Sequence, residues 1–138
     1  MREWWFNVCD PALEEESHRL FDGRVRAWDG PEEDDPSWGR REHDIDDVAF
    51  TMWVPYCRTQ WGEDLAFEIL LWLLDKPTDL MLETDDGALI VKRSRGRWTL
   101  IHDPFADRVA ELLGLPLAPR VPEGHPGWEP PAAPTAPA

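Results

Sequence analysis

The sequence predicts a single α+β domain, residues 1–115, with a mainly antiparallel sheet of about six strands and helices packed on one face. Three observations support this: short segments with alternating side-chain character, segments with apolar residues at helical spacing, and hairpin-type turn residues between the last strands. The chain has 138 residues, of which 42% are hydrophobic, so it is long enough to bury one core. The first six elements are compatible with a split βαβ arrangement of the ferredoxin-like type.

The N-terminal half is predicted to contain three strands and one helix. Glu3–Val8 alternates in character along its length and is rich in aromatic residues, which favour strands. Asp10 and Pro11 then mark a helix start, because Asp caps a helix and Pro suits its first position. The two further strands of this half are Arg24–Trp28 and Asp47–Tyr56.

The C-terminal half is predicted to contain a central helix, a three-stranded meander and a final helix. Glu63–Leu74 has almost no polar face and should be heavily buried. The final helix is Phe105–Leu113, and the Pro- and Ala-rich residues 116–138 are predicted to form a disordered tail. The strands of the meander are Asp79–Glu83, Ala88–Arg93 and Arg97–Ile101.

Acidic charge is the main functional signal. The formal net charge is -14, and the stretch Asp29–Asp47 contains nine acidic residues against two arginines. Four Gly and Pro residues predict that Asp29–Asp44 is a loop. Such a charge repels nucleic acid and anionic membranes and attracts basic protein surfaces, so we expect a basic protein partner, no nucleic acid and no membrane.

Two interpretations of the acidic stretch stay open. It either serves only solubility, or it steers a basic partner onto the protein with flanking tryptophans as anchors. The second interpretation predicts a partner-binding set made of Trp28, Asp34, Asp35, Trp38, Asp44, Asp46 and Asp47.

Catalytic motifs are absent from the sequence, which therefore predicts a binding protein without a cofactor rather than an enzyme. His43–Asp47 could bind a divalent cation, which leaves a small metal-binding or hydrolytic domain as one alternative. An acidic mimic of DNA is another. His102 and Asp103 could be read as a catalytic pair, but without a nucleophile they are predicted to end a strand and to cap a helix. The basic residues between Lys92 and Arg97 could contact phosphate, but a solvated hairpin is favoured.

The cysteine content and the missing export signal predict a cytoplasmic protein with reduced thiols. The longest apolar run, Ile69–Leu74, is far shorter than the roughly 20 residues that span a membrane. A disulfide between Cys9 and Cys57 is the less favoured alternative.

The stretch Val48–Asp103 resembles the Sit-type immunity proteins of bacterial toxin–immunity systems. The resemblance is carried by the strand Val48–Pro55, the leucine-rich helix that ends at Leu73-Leu74, and the meander from Asp79 to Ile101. It implies a small protein that neutralises a cognate toxin by binding it, so the expected basic partner would be a toxin domain.

Overall fold

A computed structural model describes residues 2–56, 60–84, 88–101 and 104–115. The predicted tail, the turn at 85–87, the pair His102 and Asp103, and Cys57 lie outside the described residues. The elements in chain order are β1 (Arg2–Val8), a 3₁₀ turn (Pro11–Leu13), α1 (Glu14–Phe21), β2 (Ala27–Asp29), α2 (Trp38–His43), β3 (Phe50–Tyr56), α3 (Gln60–Leu73), β4 (Leu80–Thr84), β5 (Leu89–Ser94), β6 (Arg97–Leu100) and α4 (Pro104–Leu113).

The six strands form one antiparallel sheet in the order β2-β3-β1-β4-β5-β6. The predicted α+β class is confirmed. Strands β1 and β2 run in the same direction with β3 between them, while β4 runs against β1 on its other side. This is the order and direction of a split βαβ arrangement, and β5 and β6 extend it as a meander.

One face of the sheet carries the main core. Phe6 on β1, Phe50 and Met52 on β3, and Leu82 on β4 are fully buried against α1, α3 and α4. Burying side chains of this size stabilises the fold by roughly 1.5–3 kcal/mol each. We call this surface the helix face.

Helix α3 is less completely buried than the sequence predicts. Its inward residues recur at helical spacing, as with Leu65, Ile69 and Leu73. The opposite side is open to solvent: Leu71 is 45% exposed, and Glu68 is exposed and pairs with Arg24 at 2.6 Å. The apolar composition of the helix concealed this outer side.

The prediction of a loop at Asp29–Asp44 was wrong in part, because α2 lies within it. Ile45, which follows α2, is fully buried against Val48 and Met81. Met81 alternates along β4 with residues of the main core, so this second cluster lies on the opposite face of the sheet. The three predicted helices share one face, as expected, whereas the unpredicted helix α2 and the residues around it, 29–48, cover the other face, which we call the covered face.

Gly39 permits the close approach of α2 to the residues that follow it. A Cβ atom at this position would lie 3.2 Å from Ile45 Cγ1 and 3.3 Å from the carbonyl oxygen of Asp46. The helix ends at His43, and the capping residue Asp44 has a left-handed φ of 54°, a conformation that Asp adopts more readily than most residues. In the sequence analysis, Gly39 was one of the four Gly and Pro residues that predicted a loop.

Hydrogen bonds from the sheet hold residues 44–46 in place. Asp79 accepts from the backbone N–H of Asp46 at 3.0 Å and from that of Arg95 at 2.7 Å. Lys92 Nζ donates to the carbonyl of His43 at 2.8 Å, and Ser94 donates to the carbonyl of Asp44. Strand β3 accordingly begins at Phe50 and not at Asp47, as the sequence predicted.

The interpretation of the basic residues as a solvated hairpin is corrected for Arg93, which is buried. This side chain is 7% exposed and donates to the carbonyls of Leu73, Lys76 and Thr78, at and just beyond the end of α3. Unpaired carbonyls at a helix C-terminus need such donors. Burial lowers the pKa of Arg93. Arg95 and Arg97 are the exposed members of this basic group.

Candidate functional site

Three of the predicted partner-binding carboxylates are engaged within the protein. Asp35 pairs with Arg41 and accepts from Ser37, and Asp44 accepts from Arg95 at 2.8 Å. The hydrogen bonds from these arginines hold the pKa values of both carboxyl groups below their usual range. Asp47 accepts from Arg40 Nε at 2.7 Å. These acids help to fold their own segment, and their charge is partly compensated.

Other acids of the segment have no such partner. Glu32, Glu33 and Asp34 are exposed and make no ion pair within the described part of the chain. Asp46 is also exposed, and its main chain, rather than its carboxylate, forms hydrogen bonds. We call Glu32, Glu33 and Asp34 the acidic rim. The predicted partner-binding set contains only Asp34 of these three residues.

Trp28 lies on the helix face and so does not flank the acidic rim on the covered face. Its indole N–H donates to Ser17 Oγ at 3.0 Å, its ring stacks on His18 with centroids 4.0 Å apart, and it packs against the main core. Its structural role here is to fasten β2 to α1. Trp38 lies on the covered face, half-buried against Ile45, Val48 and Met81.

A cleft of about 280 Å³ opens on the covered face between the sheet and the residues that cover it. Three tryptophans, from β1, α2 and β3, line it, and we call it the tryptophan cleft. Trp5 and Trp53 are cross-strand neighbours with ring centroids 5.4 Å apart. The lining residues are Trp5, Asn7, Asp29, Gly30, Glu32, Trp38, Val48, Thr51, Trp53 and Glu83.

The wall formed by the sheet carries a polar network. Asn7, which is buried, donates to Glu83 Oε1 at 3.2 Å and accepts from Thr51 Oγ1 at 2.7 Å. Asn7 also donates to the carbonyl of Met81. A shift of register between Leu82 and Glu83 marks a β-bulge at this point, and bulges redirect side chains next to binding sites.

Glu83 is a buried carboxyl group without a positive partner. It is 7% exposed, and within the described residues no Lys, Arg or His side chain pairs with it. Burial raises the pKa of Glu83, and the hydrogen bond from Asn7 opposes that rise only in part. A buried acid of this kind is costly when ionised and is stabilised by a cation.

The mouth of the cleft is acidic. Asp29 and Glu32 line it, and Asp29 is fixed there because it accepts from Trp53 Nε1 at 2.6 Å. Asp29, Glu32, Glu33 and Asp34 also line a second concavity with Gly30 and Pro31, so the acidic rim continues from the cleft mouth across the neighbouring surface.

The predicted alternative metal site at His43–Asp47 is not assembled among the described residues, where no group of three or more His, Cys, Asp or Glu side chains could hold a metal ion. His43 packs edge-on against Trp38, with centroids 5.2 Å apart, and burial lowers its pKa. Cys9 is a free thiol that donates to the carbonyl of Asp46 at 3.3 Å. Burial, with the charge of Asp79 next in importance, raises the pKa of Cys9 to about 12, so it is not a reactive nucleophile.

The sequence analysis missed the tryptophan cleft, apart from Trp38. Its signal was present in β1, where Trp5 and Asn7 alternate with the core residues, and in β4, where an acid follows three apolar residues. A strand whose second face carries a tryptophan and an amide is unlike an ordinary solvated strand face. The sequence analysis could not identify what packs against that face of the sheet, because the segment that covers it was expected to be a loop.

Comparison of the chain with models of protein families, with curated proteins and with solved structures gave no match. Within the described ranges, no helix has the length and apolar character needed to cross a membrane.

Proposed function

We propose that this protein binds a basic protein partner through the acidic rim and acts without catalysis, as an immunity-type protein that neutralises a cognate bacterial toxin. The observation that carries the proposal is the separation of the acids into two groups. Asp35, Asp44 and Asp47 are used within the fold, whereas Glu32, Glu33 and Asp34 carry exposed charge with no ion pair among the described residues.

Unpaired carboxylates concentrated beside a cleft are suited to steering a positively charged partner. Complementary charge raises the rate of association and acts over about one Debye length, near 8 Å at physiological salt. A net charge of -14 strengthens this field and disfavours nucleic acid as the partner. The resemblance of Val48–Asp103 to Sit-type immunity proteins supports a toxin domain as that partner.

The test uses co-expression with the product of the adjacent gene, followed by measurement of association kinetics at several salt concentrations. We expect a stable complex. The variant Glu32→Gln/Glu33→Gln/Asp34→Asn should associate about tenfold more slowly at low salt and show a weaker dependence on salt.

The matched control removes the same three charges elsewhere. Glu15→Gln/Asp22→Asn/Glu111→Gln changes exposed acids of α1, its C-terminal cap and α4, away from the rim. We expect near-normal association for it. If the two variants slow association equally, the acidic rim acts only through the net charge of the protein and is not a specific binding surface. Absence of any complex would contradict the proposal. Displacement of the partner by duplex DNA would favour the DNA-mimic alternative.

A further inference from the structure

The tryptophan cleft combines two features that point to a ligand. Its walls are indole rings, of which Trp5 and Trp53 lie side by side. Its sheet wall includes Glu83, a 7% exposed carboxyl group that Asn7 contacts and no described cation neutralises. Natural folds rarely keep such an acid buried without a positive partner.

The size and charge of the cleft restrict what it can hold. Its volume, about 280 Å³, lies just below the roughly 300–1,000 Å³ of sites for drug-sized ligands, so it suits a single side chain. Asp29 and Glu32, two exposed acids that also line the cleft, add negative charge to its walls. An anionic or purely apolar occupant would leave Glu83 uncompensated.

Arginine satisfies these requirements better than lysine does. The guanidinium group is planar, stacks on aromatic rings, and donates from a rigid fork that matches a carboxylate. It is also more weakly hydrated than an ammonium group, so its transfer into a cleft lined by tryptophan costs less. Glu83 Oε2 accepts no hydrogen bond from the described residues, whereas Oε1 already accepts from Asn7.

We infer that the tryptophan cleft receives an arginine side chain of the basic partner, which lies against the indole rings and donates to Glu83. This inference rests on the proposed function and adds a recognition site to it. The acidic rim accelerates the encounter, and the cleft then retains the partner. Contacts of the two kinds act on different rate constants, since exposed charges affect association and buried charge pairs affect dissociation.

The test titrates the intact protein with N-acetyl-arginine amide and follows the indole N–H signals by NMR. We expect saturable shifts of Trp5, Trp38 and Trp53, in the millimolar range that a single cation–aromatic contact supports. Trp28 and Trp72 should stay unchanged, because their indole N–H groups donate to Ser17 and Glu16 on the helix face. N-acetyl-citrulline amide, which is similar in shape and neutral, should bind at least tenfold more weakly.

Glu83→Gln tests the carboxylate while it keeps the acceptor for Asn7. It should weaken binding of the arginine probe about tenfold, and Glu111→Gln, which removes the same charge from an exposed site on α4, should not. Equal binding of the citrulline compound, equal shifts of Trp28 and Trp72, or unchanged binding by Glu83→Gln would each overturn the inference.

Measurements on the complex with the adjacent gene product separate this inference from the proposed function. Glu83→Gln should increase the dissociation rate about tenfold and leave association near normal, whereas the rim variant should slow association. A normal dissociation rate for Glu83→Gln, with association still slowed by the rim variant, would overturn the cleft inference alone. Absence of a complex would overturn the proposed function and, with it, the assignment of the arginine to a protein partner.

Discussion

The two faces of the sheet differ in how completely they are closed and in what they bury. The helix face is closed by α1, α3 and α4 over side chains such as Phe6 and Phe50, which have no exposed surface. The covered face is closed by residues 29–48, and among the described residues its buried apolar cluster consists of Ile45, Val48 and Met81. Beside that small cluster it keeps an open cleft and a buried acid.

The two faces also differ in whether their buried polar groups have hydrogen-bond partners. On the helix face, the buried guanidinium of Arg93 donates to carbonyls at the end of α3. At the cleft, the indole N–H of Trp5 is buried without an acceptor, alone among the buried side-chain N and O atoms of the described residues. An unpaired buried group costs about 1–3 kcal/mol. Stability is therefore concentrated on one face, and the other gives up part of it where a ligand could bind.

The largest expected effect comes from opening the helix face. Phe6→Ala removes a fully buried ring from the middle of β1, and such truncations cost about 3–5 kcal/mol, because they remove apolar burial and leave a cavity. The measurement is the free energy of unfolding in urea. A loss below about 1 kcal/mol would show that the helix face does not dominate stability.

Arg93→Ala tests whether the helix face also depends on its buried cation. The substitution removes the side-chain donor of the Thr78 carbonyl and one of the donors to the carbonyls of Leu73 and Lys76, which also accept backbone N–H groups. We expect a loss of about 2–3 kcal/mol. Arg93→Lys should recover only part of this, since one ammonium group cannot reproduce the fork. Full recovery by lysine in urea unfolding would show that charge matters here and geometry does not.

Gly39→Ala tests the fit of residues 29–48 against the covered face. Helix propensity alone would stabilise α2 by about 1 kcal/mol. The added Cβ would press on Ile45 and on the carbonyl of Asp46, however, and such overpacking costs about 1–3 kcal/mol. We expect a net loss near 1 kcal/mol by thermal unfolding. A gain in stability would mean that this segment adjusts freely.

Glu83→Gln is expected to have the smallest effect, and of opposite sign. Because burial raises the pKa of Glu83, the folded protein holds that proton more tightly than the unfolded chain does. The contribution of Glu83 to the free energy of unfolding should therefore fall as pH rises from the ordinary pKa of a glutamate through the raised value. Gln does not titrate, so the variant should match the wild type near pH 4 and exceed it in free energy of unfolding near pH 8.

The comparison of the two proteins across pH isolates Glu83, because the other carboxyl groups are common to both. A constant difference between pH 4 and pH 8 would show that Glu83 titrates normally. Its immediate surroundings are Asn7 and Trp5 of β1, Leu89 of β5, and the acids Asp29 and Glu32 at the cleft mouth.

Local patterns predicted the helix face well and the covered face poorly. The alternation in Glu3–Val8 and the helical spacing in Glu63–Leu74 report burial directly, so the strands, α3 and α4 were placed within a few residues. Helix α2 was missed because Gly39 looks the same in a sequence whether it breaks a helix or admits a close contact.

The prediction of the site had the same limits. Formal charge identified the acidic stretch, but ion pairs such as Asp47 with Arg40 depend on how the segment folds. Trp28 was expected to flank that stretch because it is close in the chain, yet strand pairing turns it to the helix face. Glu83 lies 51 residues beyond Glu32 in the sequence, so only the strand order brings the two to the same cleft.

The thiol of Cys9 gives the covered face a built-in chemical reporter. While residues 44–46 are docked, Cys9 donates to the Asp46 carbonyl, and its raised pKa, about 12, suppresses the thiolate that alkylating reagents attack. Undocking would remove the bond, admit water and lower that pKa. In a Cys57→Ser background, the rate of Cys9 alkylation would thus report how often this face opens at residues 44–46. No label would have to be added to the protein beforehand.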